Sequence, residues 1–440
     1  MAKLIKIWND LRSSFWFLPM IMTVIGMLLS LAFTRLDIAL GNDWAHTLPW
    51  VLQIQPDGAR GLLSTVAGSM IGVAGVTFSI TIASLAYTTS MLGPRLLTNF
   101  MDDLGNQFTL GTFLSTFIYC LLLLRSIHSG DDPGDVFIPY LALTFAMLLT
   151  LASVAVLIYF IHHVVTSLHV SQVVANVASD LNAALAEDQR YSRTLSHQPA
   201  AHLPKDFDAT AVSVRAGHDG YIQNLSYASL VQQATQHDLV LKLELEPGDF
   251  AGEGQALLRA WPPTHIDERL SRRLYGAYAQ GPQRTKPQDV RFLVNELVEI
   301  AARALSPSMN DPYTAMNCLD WLCAALNRLA KADVVSMHRF DDNDVLRLYA
   351  PAFNFEALAL AIFDQLRPYF AADRNAARHM LVCMGEVAEF TRRCEQRRLM
   401  RDLADALYEA TWPNLPTERD RQMIEHTFGQ TQHRLGEIDA

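Results

Sequence analysis

The most distinctive polar segment of the chain is a loop between two helical patterns, within the run LVEIAARALSPSMNDPYTA. Its candidate residues for recognising a ligand are Ser306, Pro307, Asn310, Asp311 and Pro312. Asp311 suits the cap of the second helix and Pro312 its first turn, while the residue before Pro307 resists helical backbone. Asn310 would then stand beside a helix N-terminus, where anions are favoured. The pattern predicts a capped turn between two helices, and recognition of an anion, a ligand or a partner is the alternative.

The remaining ionisable residues predict no catalytic set. Glu296, Glu299 and Arg303 share a helix face, a spacing typical of solvated ion pairs rather than of a metal cluster. His162 and His169 share a face near the end of an apolar segment, where packing at the membrane interface competes with metal binding or pH sensing. The chain contains no GxSxG, HExxH or P-loop motif. We therefore expect a protein that is not an enzyme and that has no catalytic residues, metal or cofactor.

The cysteines and the net charge narrow the classes of partner. The chain has five cysteines, Cys120, Cys318, Cys323, Cys383 and Cys394. An odd number without a CxxC pair argues against a disulfide framework or a zinc site, and favours a reducing, cytosolic C-terminal region. The formal net charge is −10, and the sequence shows no basic patch of the kind that nucleic-acid binding needs. We therefore expect no nucleic-acid partner.

Four apolar segments occupy the first 165 residues. They are Phe15–Phe33, Leu62–Ser90, Phe108–Leu124 and Ile138–Ile161. As helices these segments would have lengths that approach or exceed the ~30 Å thickness of the hydrocarbon core. The polar stretch 36–60, which contains Asp37, predicts an interfacial loop between the first two. Four spans place both termini on one side of the membrane. The large C-terminal region favours a multi-pass protein of the bacterial inner (plasma) membrane with cytosolic N- and C-termini.

The segment Leu62–Ser90 carries two lines of residues on different faces of one helix. The small residues are Ser64, Gly68, Gly72, Gly75, Ser79, Ala83 and Ala86, and the hydroxyl residues are Thr77, Thr81, Ser84 and Thr88. Small side chains allow another helix to approach closely, and hydroxyls are most useful against a helix or a wet cavity. We therefore expect protein on both sides of this helix, with the small line as a helix-packing surface and the hydroxyl line as a candidate pore lining.

After residue 165 the pattern becomes that of a soluble protein. It predicts a helical stalk and linker (166–209), a small β module (210–262) and a helical domain (263–440). The β module resembles the barrel-sandwich pattern of lipoyl and biotinyl domains and of efflux adaptors. Its single lysine, Lys242, lies in the middle of a strand, which argues against covalent carriage and favours packing or oligomerisation.

Three blocks of the sequence carry a resemblance to one family. They are VTFSITIASLAYTTSMLGPRLLTNFMDDLGNQFTLGTF, YFIHHVVTSLHVSQ, and the loop segment LVEIAARALSPSMNDPYTA with its upstream RT pair. The chain resembles a bacterial family of predicted integral membrane proteins known as domain of unknown function twenty-two fifty-four. The resemblance implies an N-terminal multispan region and a soluble C-terminal region, and it implies no activity.

Together these patterns predict a mainly α membrane protein with four transmembrane helices, a small β barrel-sandwich-like module and a C-terminal cytosolic helical domain. The first functional hypothesis is a homo-oligomeric, channel-like or pore-forming protein with a cytosolic collar. The absence of charged residues within the four apolar segments argues against a proton-coupled pump. The alternative is a membrane-anchored sensor or scaffold whose cytosolic domain binds a soluble partner. The lipid bilayer is a partner in both hypotheses.

Overall fold

The computed structural model describes residues 14–40, 54–93, 103–128, 137–167, 169–193, 202–331, 338–350 and 353–436. Most of the predicted 36–60 loop, part of the predicted linker and both chain termini lie outside those residues. The described chain divides into two compact units, with the boundary between His169 and Val170. The first is named here the membrane unit and the second the C-terminal unit.

Among the described residues, four helices are long and apolar enough to cross a bilayer, and all four belong to the membrane unit. They are α1 (Phe17–Leu40), α2 (Pro56–Leu92), α3 (Leu104–Ser126) and α4 (Tyr140–Ser167). They confirm the four predicted apolar spans. The longest is α2, whose 37 residues extend for about 55 Å and exceed the ~30 Å hydrocarbon core.

The central helix of the membrane unit is α3, which packs against each of the other three helices. It buries Phe113, Tyr119 and Leu123, and the Tyr119 hydroxyl donates to the Ala142 carbonyl of α4 at 3.0 Å. The expectation that α2 has protein on both sides is not met within one chain, because α2 buries one side and leaves the small-residue side exposed. A line of small residues shows that a face is suited to packing, but not whether its partner belongs to the same chain.

Two glycines allow α1 and α3 to pack closely. A Cβ atom at Gly26 of α1 would clash with the Ser115 hydroxyl and would lie 2.8 Å from the Ser115 carbonyl oxygen. A Cβ atom at Gly111 of α3 would lie 2.5 Å from the Met22 sulphur and 3.2 Å from the Pro19 Cα atom. The absence of these side chains brings the two backbones together, as small residues do in membrane helix pairs.

The predicted 36–60 loop is wrong at its start, because α1 continues through Asp37 and ends at Leu40. The side chain is 1% exposed, and its two oxygens accept from the backbone N–H groups of Leu141 and Ala142 at 3.0 and 2.9 Å. The first N–H groups of a helix have no partner within that helix, so this carboxylate caps the start of α4. A buried polar residue needs such partners, and they lie too far along the chain for a local pattern to indicate.

Among its described residues, the C-terminal unit contains eight strands in two sheets. They are β1 (Val212–Arg215), β2 (Gly220–Leu225), β3 (Val240–Leu243), β4 (Phe250–Ala251), β5 (Ala256–Trp261), β6 (Tyr278–Gly281), β7 (His338–Phe340) and β8 (Leu346–Tyr349). One sheet has the order β1-β5-β3-β8-β7 and the other β4-β2-β6. Only the β3–β8 pair is parallel among these pairs. Three of these strands, β6, β7 and β8, lie in the region that the sequence predicts as helical. They are short and depend on their partners: β6 pairs with β2, β7 with β8, and β8 with β3 far upstream.

Most of the C-terminal unit is helical. Its α-helices are α5 (Val170–Arg193), α6 (Phe207–Thr210), α7 (Tyr227–Gln236), α8 (Glu268–Tyr275), α9 (Val290–Ala304), α10 (Pro312–Lys331), α11 (Phe355–Ala359), α12 (Gln365–Phe370), α13 (Arg374–Ala388), α14 (Cys394–Thr411) and α15 (Glu418–Gly436). A π-helical turn, Leu360–Asp364, joins α11 to α12. Short 3₁₀ turns span Pro263–His265, Lys286–Gln288 and Trp412–Asn414.

The predicted stalk differs from the observed α5. The fourth membrane helix ends at Ser167, and α5 packs against α9 and α10 with Val174, Val177 and Leu181 buried. Its apolar residues recur on one face, which is the pattern of a helix that packs on a globular core rather than of a free stalk. In the same core, α10 packs against α13, and α13 packs against α14 and α15.

Candidate functional site

A cluster of titratable side chains lies where α10 and α13 pack together. Asp320 and Cys323 are three residues apart on α10, and His379 and Cys383 are four residues apart on α13. Both spacings place two side chains on one helix face, one turn apart. The start of α13 is fixed by Asp373, whose carboxylate accepts from the backbone N–H groups at the beginning of the helix. The two helices therefore present the four side chains toward each other.

The closest contacts in this cluster meet at a single carboxylate oxygen. Asp320 Oδ1 lies 2.6 Å from His379 Nε2 and accepts from Cys383 Sγ at 3.7 Å. The three ligand atoms of Asp320, His379 and Cys383 all lie within 4.8 Å of one another. The Asp320 side chain is 55% exposed and that of His379 31%, while Cys383 is buried. The cluster thus reaches from the core of the helical packing to the surface.

The environment changes the protonation of the imidazole and of the thiols. The hydrogen bond to Asp320, followed by the one to Cys383, raises the pKa of His379 to about 10. The hydrogen bond from Cys323, assisted by His379, lowers the pKa of Cys383 to about 7 despite burial. The hydrogen bond to Cys383 and burial raise the pKa of Cys323. At neutral pH the cluster therefore pairs a protonated imidazole with a thiol that ionises readily.

Sequence reasoning missed this cluster because Asp320 and His379 are 59 positions apart and meet only through the packing of two helices. The residue types present, a carboxylate, an imidazole and a thiol, are those that bind transition metals, and a thiolate beside a cation is also a reactive nucleophile. The local signal that could have indicated it is the His379-x3-Cys383 spacing on a strongly periodic helix. The absence of a CxxC pair is not evidence against this cluster, because its side chains come from two different helices.

The signature loop is a helix cap with exposed neighbours. Asp311 accepts from the Thr314 backbone N–H at 3.1 Å and from its hydroxyl at 2.6 Å, and α10 begins at Pro312. Asn310 has a φ of 48°, in the left-handed region that Asn tolerates. Ser306 lies 3.1 Å from Ser308, hydroxyl to hydroxyl, and Pro307 is exposed. Tyr313, which follows the cap, is 78% exposed. A role in ligand recognition stays a prediction.

The two lines of α2 lie in opposite environments within the chain. Every member of the small line is exposed, namely Ser64, Gly68, Gly72, Gly75, Ser79, Ala83 and Ala86. A Cβ atom added at any of its three glycines would meet nothing within 4 Å. In the hydroxyl line, Thr77, Thr81 and Thr88 are buried and Ser84 is half-buried. The hydroxyls of Thr77 and Thr81 donate to carbonyls of their own helix at 2.9 Å. A pore-lining role for this line stays a prediction.

The histidines near the end of α4 have separate environments. His162 and His169 are exposed, whereas the intervening His163 lies 2.8 Å from Asp103, measured from Nε2 to Oδ2. Asp103 also caps α3 by accepting from the Gly105 backbone N–H at 2.8 Å. The structure thus uses the neighbouring histidine to connect α4 to the start of α3.

The carboxylates of α9 also have two environments. Arg303 Nε lies 3.2 Å from Glu299 Oε1, which agrees with the expected ion pair on the helix surface. Glu296 differs from the expected solvated face, because it is 1% exposed. It lies on the side of α9 that packs into the core, as do the neighbouring buried residues Leu293 and Leu297.

Comparison with known proteins supports the membrane assignment. Residues 12–386 match the model of a family described as Predicted membrane protein (DUF2254). Uncharacterized proteins of Mycobacterium bovis and of Mycobacterium tuberculosis are each 28% identical to the chain over 428 residues, which cover 95% of this chain and 80% of each relative. No solved structure matches the chain. The family match covers most of the chain and includes all four apolar helices. The protein therefore belongs to this family of predicted membrane proteins, whose function is unknown.

Proposed function

We propose that the protein is a homo-oligomeric, channel-like protein of the bacterial inner membrane. In this proposal the small-residue lines of α2 from neighbouring subunits pack against one another around a common axis. Both termini are cytosolic, and the C-terminal units form a collar below the membrane. The observation that carries the proposal is the exposed line from Ser64 to Ala86 on the longest apolar helix.

The comparison of glycines within the membrane unit supports a partner for this line. At Gly26 and Gly111, atoms of the facing helix of the same chain occupy the space that a Cβ atom would need. At Gly68, Gly72 and Gly75 that space is open. Contact with lipid tails gives no reason for glycine at these positions, because glycine is about 1 kcal/mol less favourable than alanine for helix formation. Three such residues on one exposed face are therefore best explained by a helix from another subunit that approaches closely.

The charges of α2 bear on what such an assembly would conduct. From Gly61 to Leu92 the helix contains no Asp, Glu, Lys or Arg. A pathway bordered by this stretch would offer small groups, hydroxyls and backbone rather than a ring of fixed charge. We therefore propose that the assembly holds a pathway for ions or small solutes with weak charge selectivity, bordered by α2 outside the contact between the small lines.

The test combines subunit mass with solute flux for the purified full-length protein. Gly72→Leu adds a large side chain where another subunit would pack, and Ala152→Leu makes a similar change at an exposed position of α4. The expected result is a lower assembled mass and reduced flux for Gly72→Leu, with wild-type behaviour for Ala152→Leu. A wild-type protein that is monomeric in lipid and passes no ions or solutes under voltage, tension or pH steps would contradict the proposal.

A second candidate, a membrane-anchored sensor or scaffold, is favoured by the exposed aromatic ring of Tyr313. An exposed tyrosine beside the Asn310 turn provides a contact of the kind that is enriched at protein interfaces. Its test is to cross-link the full-length protein in membranes and to compare wild type with Tyr313→Ala. A specific cross-linked partner that is lost in the variant supports the scaffold, and an unchanged set of products argues against it.

A further inference from the structure

We propose that Asp320, His379 and Cys383 form a binding site for one transition-metal ion of the Zn²⁺ class. The site lies entirely within the packing of α10 against α13. It does not depend on whether the membrane unit forms a channel. The inference rests on the type of the three ligand atoms, on their separations and on their access to solvent.

The Cys383–Asp320 separation is close to the one that a tetrahedral ion imposes. Bonds of about 2.0 to 2.3 Å to nitrogen, oxygen and sulphur place neighbouring ligand atoms about 3.5 Å apart. The Cys383 Sγ to Asp320 Oδ1 distance is 3.7 Å, and all three ligand atoms lie within 4.8 Å of one another. The His379 Nε2 to Asp320 Oδ1 distance, 2.6 Å, is too short for both atoms to bind one ion. Rotation of the exposed Asp320 side chain can open it without moving a helix.

The helical positions provide a rigid framework for such a site. His379 and Cys383 project from one face of α13, one turn apart, which allows both to bind the same ion without bending the backbone. Asp320 approaches from α10, so the ion would connect two packed helices. A surface ion pair between Asp320 and His379 would not need the Cys383 sulphur beside the same carboxylate oxygen.

Burial is graded in the way that an accessible metal site requires. The sulphur belongs to a buried residue, while His379 is half-buried and Asp320 is exposed, so an ion can enter from solvent beside the carboxylate. Imidazole and thiolate select borderline or soft ions over Mg²⁺ and Ca²⁺. Three protein ligands leave a fourth position for water or for a small ligand.

The experiment uses the full-length protein in detergent, reduced and treated with a chelator, and then titrated with Zn²⁺ or Co²⁺ alone. The expected result is one ion per chain, with thiolate-to-cobalt charge-transfer absorption. Cys383→Ser should abolish that absorption, and His379→Gln should weaken binding by about 100-fold or more, since even the loss of an outer-shell partner costs about 10- to 100-fold. Cys394→Ser changes an exposed cysteine of α14 and should bind as wild type does.

Asp320→Asn keeps the proposal testable if a buried variant fails to fold, because the Asp320 side chain is exposed. This variant should still fold, and compared with its own metal-free state it should gain little of the stabilisation that added Zn²⁺ gives the wild type. The proposal is overturned if the wild-type protein binds neither ion. It is also overturned if Cys383→Ser retains the charge-transfer absorption, or if Asp320→Asn binds as tightly as the wild type.

Discussion

The crossing of α1 and α3 allows a quantitative test by one methyl group. In Gly26→Ala, the new Cβ atom would lie 2.8 Å from the Ser115 carbonyl oxygen and still closer to its hydroxyl. The hydroxyl can rotate, but the carbonyl belongs to the backbone of α3, so the helices must separate. Overpacking of this kind costs up to about 3 kcal/mol. The better helix propensity of alanine offsets about 1 kcal/mol. We expect a net destabilisation of up to about 2 kcal/mol.

The matched control is Gly61→Ala, an identical change in α2 where the new methyl group meets nothing within 4 Å. It should leave stability unchanged or raise it by up to about 1 kcal/mol. The assay is equilibrium unfolding of the detergent-solubilised full-length protein for the wild type and both variants. If Gly26→Ala is as stable as Gly61→Ala, α1 and α3 do not pack through this glycine and the described bundle is wrong.

Three further predictions concern buried polar groups. Asp37→Leu should destabilise the membrane unit by about 2 kcal/mol or more in the same assay, because two backbone N–H groups at the start of α4 lose their acceptor. Arg347→Met should cost about 1.5 to 3 kcal/mol by thermal or denaturant unfolding, since the Asp341 carboxylate loses its charged partner but keeps the backbone N–H donors of Asn343 and Val345. The hydrogen bond from Thr417 and the contact with Arg374 lower the pKa of Asp420, so its stabilisation is complete above pH 3.8, its ordinary pKa, and is lost as the pH falls further. Asp420→Asn should remove that acid-dependent part of the melting curve.

The parts of the fold that follow from local pattern could be predicted from the sequence. Long uncharged runs gave four apolar helices, and Asp311-Pro312 correctly marked the start of α10. Both signals are local, because bilayer thickness sets the length of a span and capping depends on the first turn of the helix.

The remaining features depend on contacts between distant segments. Leu348 of β8 pairs with Leu241 of β3, far upstream in the chain. Asp37 is helical and buried because it caps α4. The Asp320 cluster needs α10 and α13 to pack before its ligand atoms meet. The two lines of α2 could be seen in the sequence, but only the bundle shows that the chain's own residues cover the threonines and leave the glycines exposed.

The most direct test of the proposed assembly is oxidative cross-linking of Gly72→Cys in native membranes. The background carries Cys394→Ser, because Cys394 is the exposed cysteine among the described residues. We predict that Gly72→Cys forms a covalent dimer, and that Ala152→Cys, at an exposed position of α4, forms much less. If neither variant forms a dimer, or if both do so equally, the small-residue line of α2 is not a contact between subunits.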